Sequence, residues 1–226
     1  MKVTYYGHSC FSVLVEDKVC LFDPFITPNK LAEHIDIKTI KPDVILISHG
    51  HEDHIANAVE MAINSGALVI CMVELGSWLQ KQGLDNLMNM NIGGNHRFDW
   101  GNVKMVKAVH SSSLPDGTYG GLAAGFIIES SEGSFYYSGD TAITLDFNLI
   151  GEWYDLDFAV LPIGDHYTMG SEDALLCAKF IGCNRIMGVH YDTFPEIMIN
   201  KKEVTDQFTN AGKELILLEI GEERNI

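Results

Sequence analysis

Short apolar runs recur along the whole chain and are separated by polar turns. Runs of about four to eight residues rich in Val, Ile, Phe and Tyr are typical of β-strands. They predict strands at Val3–Tyr6, Phe11–Val15, Val19–Phe22, Val44–Ile47, Ala67–Met72, Val103–Val109, Gly125–Ile128, Ser134–Tyr137, Phe158–Leu161, Ile186–Val189 and Leu215–Leu218. Apolar residues at helical spacing predict helices at His54–Asn64, Glu74–Gln82, Ser171–Phe180 and Lys201–Asn210.

The order of these elements indicates the fold class. Both halves of the chain contain several strands with helices between them, so we expect an α/β (α+β) protein with two mixed β-sheets. Packing the sheets face to face with the helices outside gives a four-layer αββα sandwich. No repeat, low-complexity tract or Pro/Ser-rich linker divides the 226 residues, and we therefore expect one domain over residues 1–226.

Composition and charge narrow the range of partners. Hydrophobic residues make up 46% of the chain and charged residues 20%, the balance of a globular protein. Lys and Arg number 15 against 31 Asp and Glu, which gives a formal net charge of −16. This charge repels phosphate backbones and anionic membrane surfaces, so we expect neither a nucleic-acid nor a membrane partner.

The cysteines and the N-terminus favour a cytoplasmic location. The five cysteines are scattered and form no CxxC pair, which is typical of free thiols in a reducing compartment. The first residues run directly into a predicted strand, without a basic region followed by an apolar one. No apolar stretch reaches the ~20 residues that a membrane helix needs.

One short segment carries the strongest chemical signal. His49, His51, Asp53 and His54 form an H-x-H-x-D-H pattern between the predicted strand Val44–Ile47 and a predicted helix. In an extended turn, His49 and His51 project to the same side and can bind one cation. Asp53 and His54 lie where the chain enters the helix and can reach a second cation. Imidazole and carboxylate ligands suit zinc, and also manganese or iron.

Three further residues of the same chemistry follow predicted strands. His110 comes after Val103–Val109, Asp140 after Ser134–Tyr137 and His190 after Ile186–Val189. Ligands of open α/β sheets collect at the carboxyl ends of strands, although a single His or Asp there is often only a cap. Together with the first segment, these residues favour an open, catalytic metal site over a closed structural one.

The ordered set of these seven residues resembles the metallo-β-lactamase superfamily pattern. Other segments resemble its branch of small bacterial and archaeal metal-dependent hydrolases, whose relatives include ascorbate-6-phosphate lactonase. These segments are Tyr6-Gly7-His8-Ser9-Cys10-Phe11, Asp23-Pro24-Phe25, Ser138-Gly139-Asp140-Thr141, the stretch from Pro162 to Gly170 and His190-Tyr191-Asp192-Thr193-Phe194-Pro195. The resemblance extends over nearly the whole chain.

This resemblance implies a site with two divalent metal ions, zinc in first place and manganese as the alternative. The implied ligands are His49, His51 and His110 for the first ion, Asp53, His54 and His190 for the second, and Asp140 between them. Such ions share a water and make hydroxide available near neutral pH. Asp53 is then the residue that moves the proton, and the expected substrate is a small ester, lactone, amide or phosphorylated metabolite.

Six further residues are predicted around the metals. The resemblance places His8 near the pocket as an outer contact, although a hydrogen-bonded turn histidine is the alternative. Asp23 can accept the free N–H of a ligating imidazole or cap the turn before Pro24. Asp165, His166, Tyr167 and Thr168 are expected near the substrate mouth.

Other functions remain open at this point. A phosphodiesterase of the same superfamily is one, although the acidic charge and the lack of a basic arm speak against a nuclease. An iron-dependent oxidoreductase is another, but diiron flavoproteins resemble H-x-E-x-D, and this chain has histidine at His51. A non-catalytic metal-binding role would need a degenerate ligand set. Relatives of this kind often self-associate, so a homo-oligomer is also left open.

Overall fold

The computed structural model describes residues 1–226 and contains two seven-stranded β-sheets. The first sheet contains β1 (Lys2–Gly7), β2 (Cys10–Val15), β3 (Lys18–Phe22), β4 (Val44–Leu46), β5 (Leu68–Met72), β6 (Leu87–Met90) and, from the end of the chain, β14 (Glu223–Asn225). The second sheet contains β7 (Asn95–Phe98), β8 (Gly101–Lys107), β9 (Ala124–Ser130), β10 (Gly133–Tyr137), β11 (Phe158–Pro162), β12 (Arg185–Val189) and β13 (Glu214–Ile216).

Both sheets follow the same scheme. In the first, the order is β14-β1-β2-β3-β4-β5-β6, with antiparallel pairing up to β3 and parallel pairing from β3 to β6. In the second, β7 to β10 pair antiparallel and β10 to β13 pair parallel. The parallel strand β11 is buried along its whole length, as expected for a strand covered on both faces.

The main core lies between the two sheets. Phe22 of the first sheet packs edge-on against Phe135 and Tyr137 of the second, with ring centroids 5.8 and 5.5 Å apart. Edge-to-face aromatic pairs of this kind add to the gain from apolar burial. Phe11 stacks on Phe22 at 4.6 Å and extends the aromatic layer within the first sheet.

Six helices complete the outer layers: α1 (Glu52–Ile55), α2 (Ala58–Ser65), α3 (Val73–Lys81), α4 (Asp146–Trp153), α5 (Ser171–Phe180) and α6 (Lys201–Asn210). Helix α3 contacts β5 and β6, while α5 contacts β11 and α6 contacts β13. A second apolar cluster, which includes Tyr136, Phe147 and Phe208, joins α4, α5 and α6 to the outer face of the second sheet. None of these helices has the length and apolar character needed to cross a bilayer.

The predicted αββα sandwich of two mixed sheets is confirmed, with local differences. The helix predicted over residues 54–64 is wrong in its continuity, because the chain forms α1 and α2 with a break at Asn57. The Asn57 amide donates to the carbonyl of Pro24, and its Oδ1 accepts from the amides of Ile26 and Thr27. These bonds to the loop after β3 replace helical ones. Helix α4 and strands β6, β7 and β14 lie outside the predicted elements.

Candidate metal centre

The predicted donors meet at one edge of the sandwich, where strands of both sheets end. They follow β4 (His49 and His51, then Asp53 and His54 through α1), β8 (His110), β10 (Asp140) and β12 (His190). The first sheet therefore supplies four donors and the second sheet three. This placement follows from the topology, since the carboxyl ends of neighbouring parallel strands share one edge of a sheet.

The first group of donors consists of His49, His51 and His110. Their ring centroids are 4.5 to 5.1 Å apart, and His49 Nε2 lies 2.9 Å from His51 Nδ1. The other ring nitrogen of each of these two histidines hydrogen-bonds to a serine. His49 Nδ1 lies 2.9 Å from Ser48 Oγ, and His51 Nε2 lies 3.2 Å from Ser111 Oγ. His49 Nε2 and His51 Nδ1 face each other and, together with a ring nitrogen of His110, could hold one common cation.

The second group of donors consists of Asp53, His54 and His190, with His8 beside them. Asp53 Oδ2 lies 3.9 Å from Nε2 of both His54 and His190, and 3.1 Å from His8 Nε2. One donor atom from each of the four residues lies within 4.8 Å of the others. This group is suited to a second cation, separate from the three-histidine group.

Asp140 lies between the two groups. Its Oδ2 is 3.0 Å from His190 Nε2 and 3.2 Å from His54 Nε2. The same oxygen is 3.7 Å from His110 Nε2 and 4.0 Å from His49 Nε2. One buried carboxylate thus faces histidines of both groups, which is the arrangement expected of a ligand shared by two ions.

Unpaired polar atoms test whether these residues fit a metal. His54 Nε2 and Asp140 Oδ1 are buried and make no hydrogen bond. Buried polar atoms in folded proteins nearly always have a partner, and burying them without one is costly. His54 Nε2 lies 3.2 Å from Asp140 Oδ2 within the donor cluster, so a cation bound there would satisfy this nitrogen. The donor set of imidazoles and carboxylates suits zinc or manganese.

Burial keeps the three-histidine group ready to bind metal. It lowers the pKa of His49 well below its ordinary value, because an imidazolium would lose its hydration there. Burial also lowers the pKa of His51 and of His110. These rings are therefore neutral at physiological pH, and neutral imidazole is the form that ligates metals.

The second group instead concentrates negative charge. Burial alone would raise the pKa values of Asp53 and Asp140, but neighbouring histidines outweigh it and hold both pKa values below their usual range. Burial alone would lower the pKa of His54, but Asp140, Asp53 and Asp23 together raise it well above its usual value. Three carboxylates thus favour a positive charge at this point of the site.

Asp23 supports two of the metal ligands through hydrogen bonds. It is fully buried, and its Oδ2 accepts hydrogen bonds from Ser48 Oγ (2.5 Å), His54 Nδ1 (2.7 Å) and Tyr137 Oη (2.5 Å). Its Oδ1 accepts from the Ser48 amide at 2.7 Å. Since the Ser48 hydroxyl donates to Asp23, it accepts from His49 Nδ1. One carboxylate therefore orients both His49 and His54.

His8 lies on the other side of the second group and is also buried. Its Nδ1 is 2.9 Å from Thr193 Oγ1, opposite the Nε2 that contacts Asp53. Its ring packs against Phe25 and Phe194 at centroid distances of 5.4 and 5.5 Å. Burial lowers the pKa of His8 to about 4, so this ring is neutral and can donate only one hydrogen bond.

Left-handed backbone is concentrated around the site. Seven residues other than glycine have positive φ, and all except Glu16 belong to the site or its surrounding loops: His8, Asp23, Asp165, His166, His190 and Asp192. Such conformations are costly for residues with a Cβ and cluster at functional sites. A close backbone approach adds to this, because a Cβ on Gly164 would lie 2.1 Å from the His190 carbonyl oxygen.

A cavity of about 370 Å³ opens onto the two donor groups. It is lined by His51, Asp53, His110, Ser111, Asp140, Tyr167, His190, Phe194 and Glu196. Of the predicted mouth loop, only Tyr167 lines the cavity. Asp165, His166 and Thr168 do not line the cavity. Within their loop, the Asp165 carbonyl accepts from the Tyr167 amide at 2.6 Å.

Several neighbours of the ligands were missed by sequence reasoning. Ser48 directly precedes His49, and Ser111 directly follows His110, so adjacency to a predicted ligand was an available signal. Thr193 and Phe194 likewise lie close to His190 in the chain. For Tyr137 no such signal exists, because it reaches Asp23 across the interface between the two sheets.

The facing mixed sheets and the ligand edge that they share are those of a metallo-β-lactamase-like protein with a candidate metal centre. The family model described as the beta-lactamase superfamily domain matches residues 2–190. The chain belongs to this superfamily and, within it, to the UPF0173 metal-dependent hydrolases.

The similarity to known proteins extends over nearly the full length of the chain. The chain is 47% identical over 222 residues to a UPF0173 metal-dependent hydrolase of Methylacidiphilum infernorum, with 98% of each chain covered. A UPF0173 metal-dependent hydrolase of Flavobacterium johnsoniae gives the same identity and coverage. Among solved structures, Igni18, a metallo hydrolase from the archaeon Ignicoccus hospitalis, is 34% identical. It superposes with a TM-score of 0.89 over 100% of this chain and 98% of its own.

Proposed function

We propose that the chain is a dinuclear hydrolase that holds two divalent ions, zinc first and manganese as the alternative. Its proposed substrate is a small ester, lactone, amide or phosphorylated metabolite. Two divalent ions held by these residues would lower the pKa of a nearby water toward neutrality and would polarise the carbonyl or phosphoryl oxygen of the substrate. Membership of a metal-dependent hydrolase family supports this assignment.

The observation that carries the proposal is the position of Asp140. Its Oδ2 lies within 4.0 Å of Nε2 of four histidines that belong to two separate donor groups. A site for one ion needs no buried carboxylate shared in this way. The two groups, each able to hold its own ion, are therefore best explained as one dinuclear centre.

We assign the proton transfer to Asp53. Its side chain is 26% exposed, whereas that of Asp140 is 3% exposed, and it lines the cavity where a substrate would lie. Its neighbours keep it ionised at neutral pH, so Oδ1 or Oδ2 can accept a proton from the attacking water. The contact from His8 Nε2 holds the carboxylate in one orientation.

Elemental analysis of the purified chain tests the proposal first. We expect about two zinc or manganese atoms per chain, loss of ester, lactone or phosphoester turnover with a chelator, and recovery when the metal is returned. Iron together with oxygen consumption would support an oxidoreductase instead. A chain that takes up no metal on dialysis would contradict the proposal.

Two substitutions test the ligands directly. Asp140→Ala and His51→Ala are expected to abolish hydrolysis and lower the bound metal while leaving a folded chain, because both residues face the cavity rather than the core. His34→Ala is the matched control, since His34 is an exposed histidine that does not line this cavity. Full activity in either of the first two variants would refute the site assignment.

A further inference from the structure

Beyond the metal ligands, the walls of the cavity carry one acidic side chain and no basic one. Beyond the donors themselves, the cavity is lined by Ser111, Tyr167, Phe194 and Glu196, and no lysine or arginine lines it. Glu196 is exposed and forms no salt bridge. Lys201, five residues further along the chain, forms salt bridges with Asp192 and Glu219 instead, at 3.8 and 3.7 Å.

This lining does not suit a substrate with an anionic tail. Proteins recognise phosphates and carboxylates with arginine, lysine or clustered N–H donors, and here the mouth offers a carboxylate. The metal ligands form the other end of the cavity, where any substrate must place the group that reacts. All substrates therefore share the attraction of their reacting group to the ions. The residues at the cavity entrance (the mouth: Tyr167, Phe194 and Glu196) must then distinguish between substrates by the remaining part of the molecule, the tail.

Two aromatic side chains line the mouth, and one of them, Phe194, is held in place. Phe194 packs edge-on to His8 at 5.5 Å, and the loop that carries it is tied down by two bonds of Asp192, to the carbonyl of Ile197 and to the amide of Ile199. Tyr167 stands edge-on to His166 at 4.5 Å and is 49% exposed. Aromatic side chains bind apolar groups at a low cost in conformational entropy, because they have only two χ angles.

We propose that the substrate carries an uncharged, apolar tail that packs on Tyr167 and Phe194, and that Glu196 excludes anionic tails. Of the substrates named for the proposed hydrolase, on which this inference rests, it selects uncharged esters, lactones and amides over phosphorylated or carboxylated metabolites. The cavity of about 370 Å³ lies near the lower end of ligand pockets, which favours a small molecule.

Two metal-binding probes with the same head group test this inference without relying on turnover. Hexanohydroxamic acid ends in a methyl group, and adipic acid monohydroxamate ends in a carboxylate at the same chain length. Their dissociation constants are measured by titration calorimetry with the zinc-loaded chain, after its metal content has been determined. We expect the neutral probe to bind at least about 4-fold more tightly, the effect of one like charge about 5 Å away in a water-like dielectric.

Variants locate the source of the preference. Glu196→Gln is expected to bring the ratio of the two dissociation constants close to one, while the matched surface change Glu60→Gln leaves it unaltered. Tyr167→Ala should weaken both probes without changing the ratio.

Equal or tighter binding of the anionic probe by the unaltered chain would overturn the inference. So would a ratio that Glu196→Gln does not change, or a metal-loaded chain that binds neither probe. Failure of the hydrolase proposal would appear separately, as selective probe binding by a loaded chain that turns over no ester, lactone or amide.

Discussion

Replacing Asp23 by asparagine should disconnect the metal ligands from their support. Ser48, His54 and Tyr137 all donate hydrogen bonds to Asp23 Oδ2. If the asparagine NH₂ took the place of this oxygen, three donors would face another donor. Turning the amide over would place the NH₂ against the Ser48 N–H instead, and the negative charge is lost either way. Breaking a buried hydrogen-bonded charge network costs about 3–5 kcal/mol, which we expect as the loss in unfolding free energy of the metal-free chain.

The assay is chemical and thermal denaturation of the metal-free chain, followed by metal titration against a chromophoric chelator. A loss of this size lowers the melting temperature by about 10 °C in a domain of this length. Metal affinity should fall about 10- to 100-fold, because His49 and His54 lose their orientation. Asp85→Asn makes the same chemical change at an exposed position and should stay within about 0.5 kcal/mol of the unaltered chain.

The reasoning would be refuted if Asp23→Asn stayed within about 1 kcal/mol of the unaltered chain and bound metal equally well, since one lost bond to a charged group already costs more than that. Tyr137→Phe provides a graded comparison. It removes one of the four donors and leaves the carboxylate ionised, so about 1.5–3 kcal/mol is expected. A larger effect for Tyr137→Phe than for Asp23→Asn would also contradict the assigned network.

Two further changes address the second donor group. Thr193→Val keeps the size of the side chain but removes the partner of His8 Nδ1. It should loosen Asp53 and reduce metal affinity about 10-fold with far-UV circular dichroism unchanged, and unaltered affinity would show that His8 is held by packing alone. Gly164→Ala should displace the backbone of His190 and destabilise the chain by about 1–3 kcal/mol, with bound metal falling toward one atom per chain by elemental analysis. If Gly164→Ala retained two metal atoms per chain and full stability, the close approach of Gly164 to His190 would not constrain the site.

The ligand pattern could be predicted because each donor is covalently next to a strand with a clear signal. His49 and His51 come directly after the apolar run that ends at Ile47, and His110, Asp140 and His190 follow other strands. A strand that is buried on both faces must end near the edge of its sheet, so its next polar residues are brought to that edge. The sandwich itself follows from the same runs.

What could not be predicted depends on contacts between distant parts of the chain. The bond from Tyr137 to Asp23 joins residues 114 positions apart in different sheets. The break between α1 and α2 depends on Asn57 binding the loop at Ile26 and Thr27, whereas the local pattern favours one continuous helix.

The mouth loop shows a third limit of sequence reasoning. Asp165 and His166 have the chemistry of site residues, but the direction of a side chain in a tight turn depends on φ, and both residues have positive φ. Tyr167, with weaker chemistry by its type, is the residue of this loop that reaches the cavity. Composition alone does not distinguish these neighbours.

The left-handed backbone around the site has a consequence for attempts to make this protein more heat-resistant. At His8, Asp23 and His190 a glycine would adopt the observed φ at no steric cost, but it would remove a buried side chain of the metal centre and increase the conformational freedom of the unfolded chain. Because breaking the buried network of Asp23 alone costs about 3–5 kcal/mol, relieving backbone strain at these positions gives no net gain in thermal stability. A stabilisation campaign on this chain should fix these residues in advance and seek its gains in the outer helices.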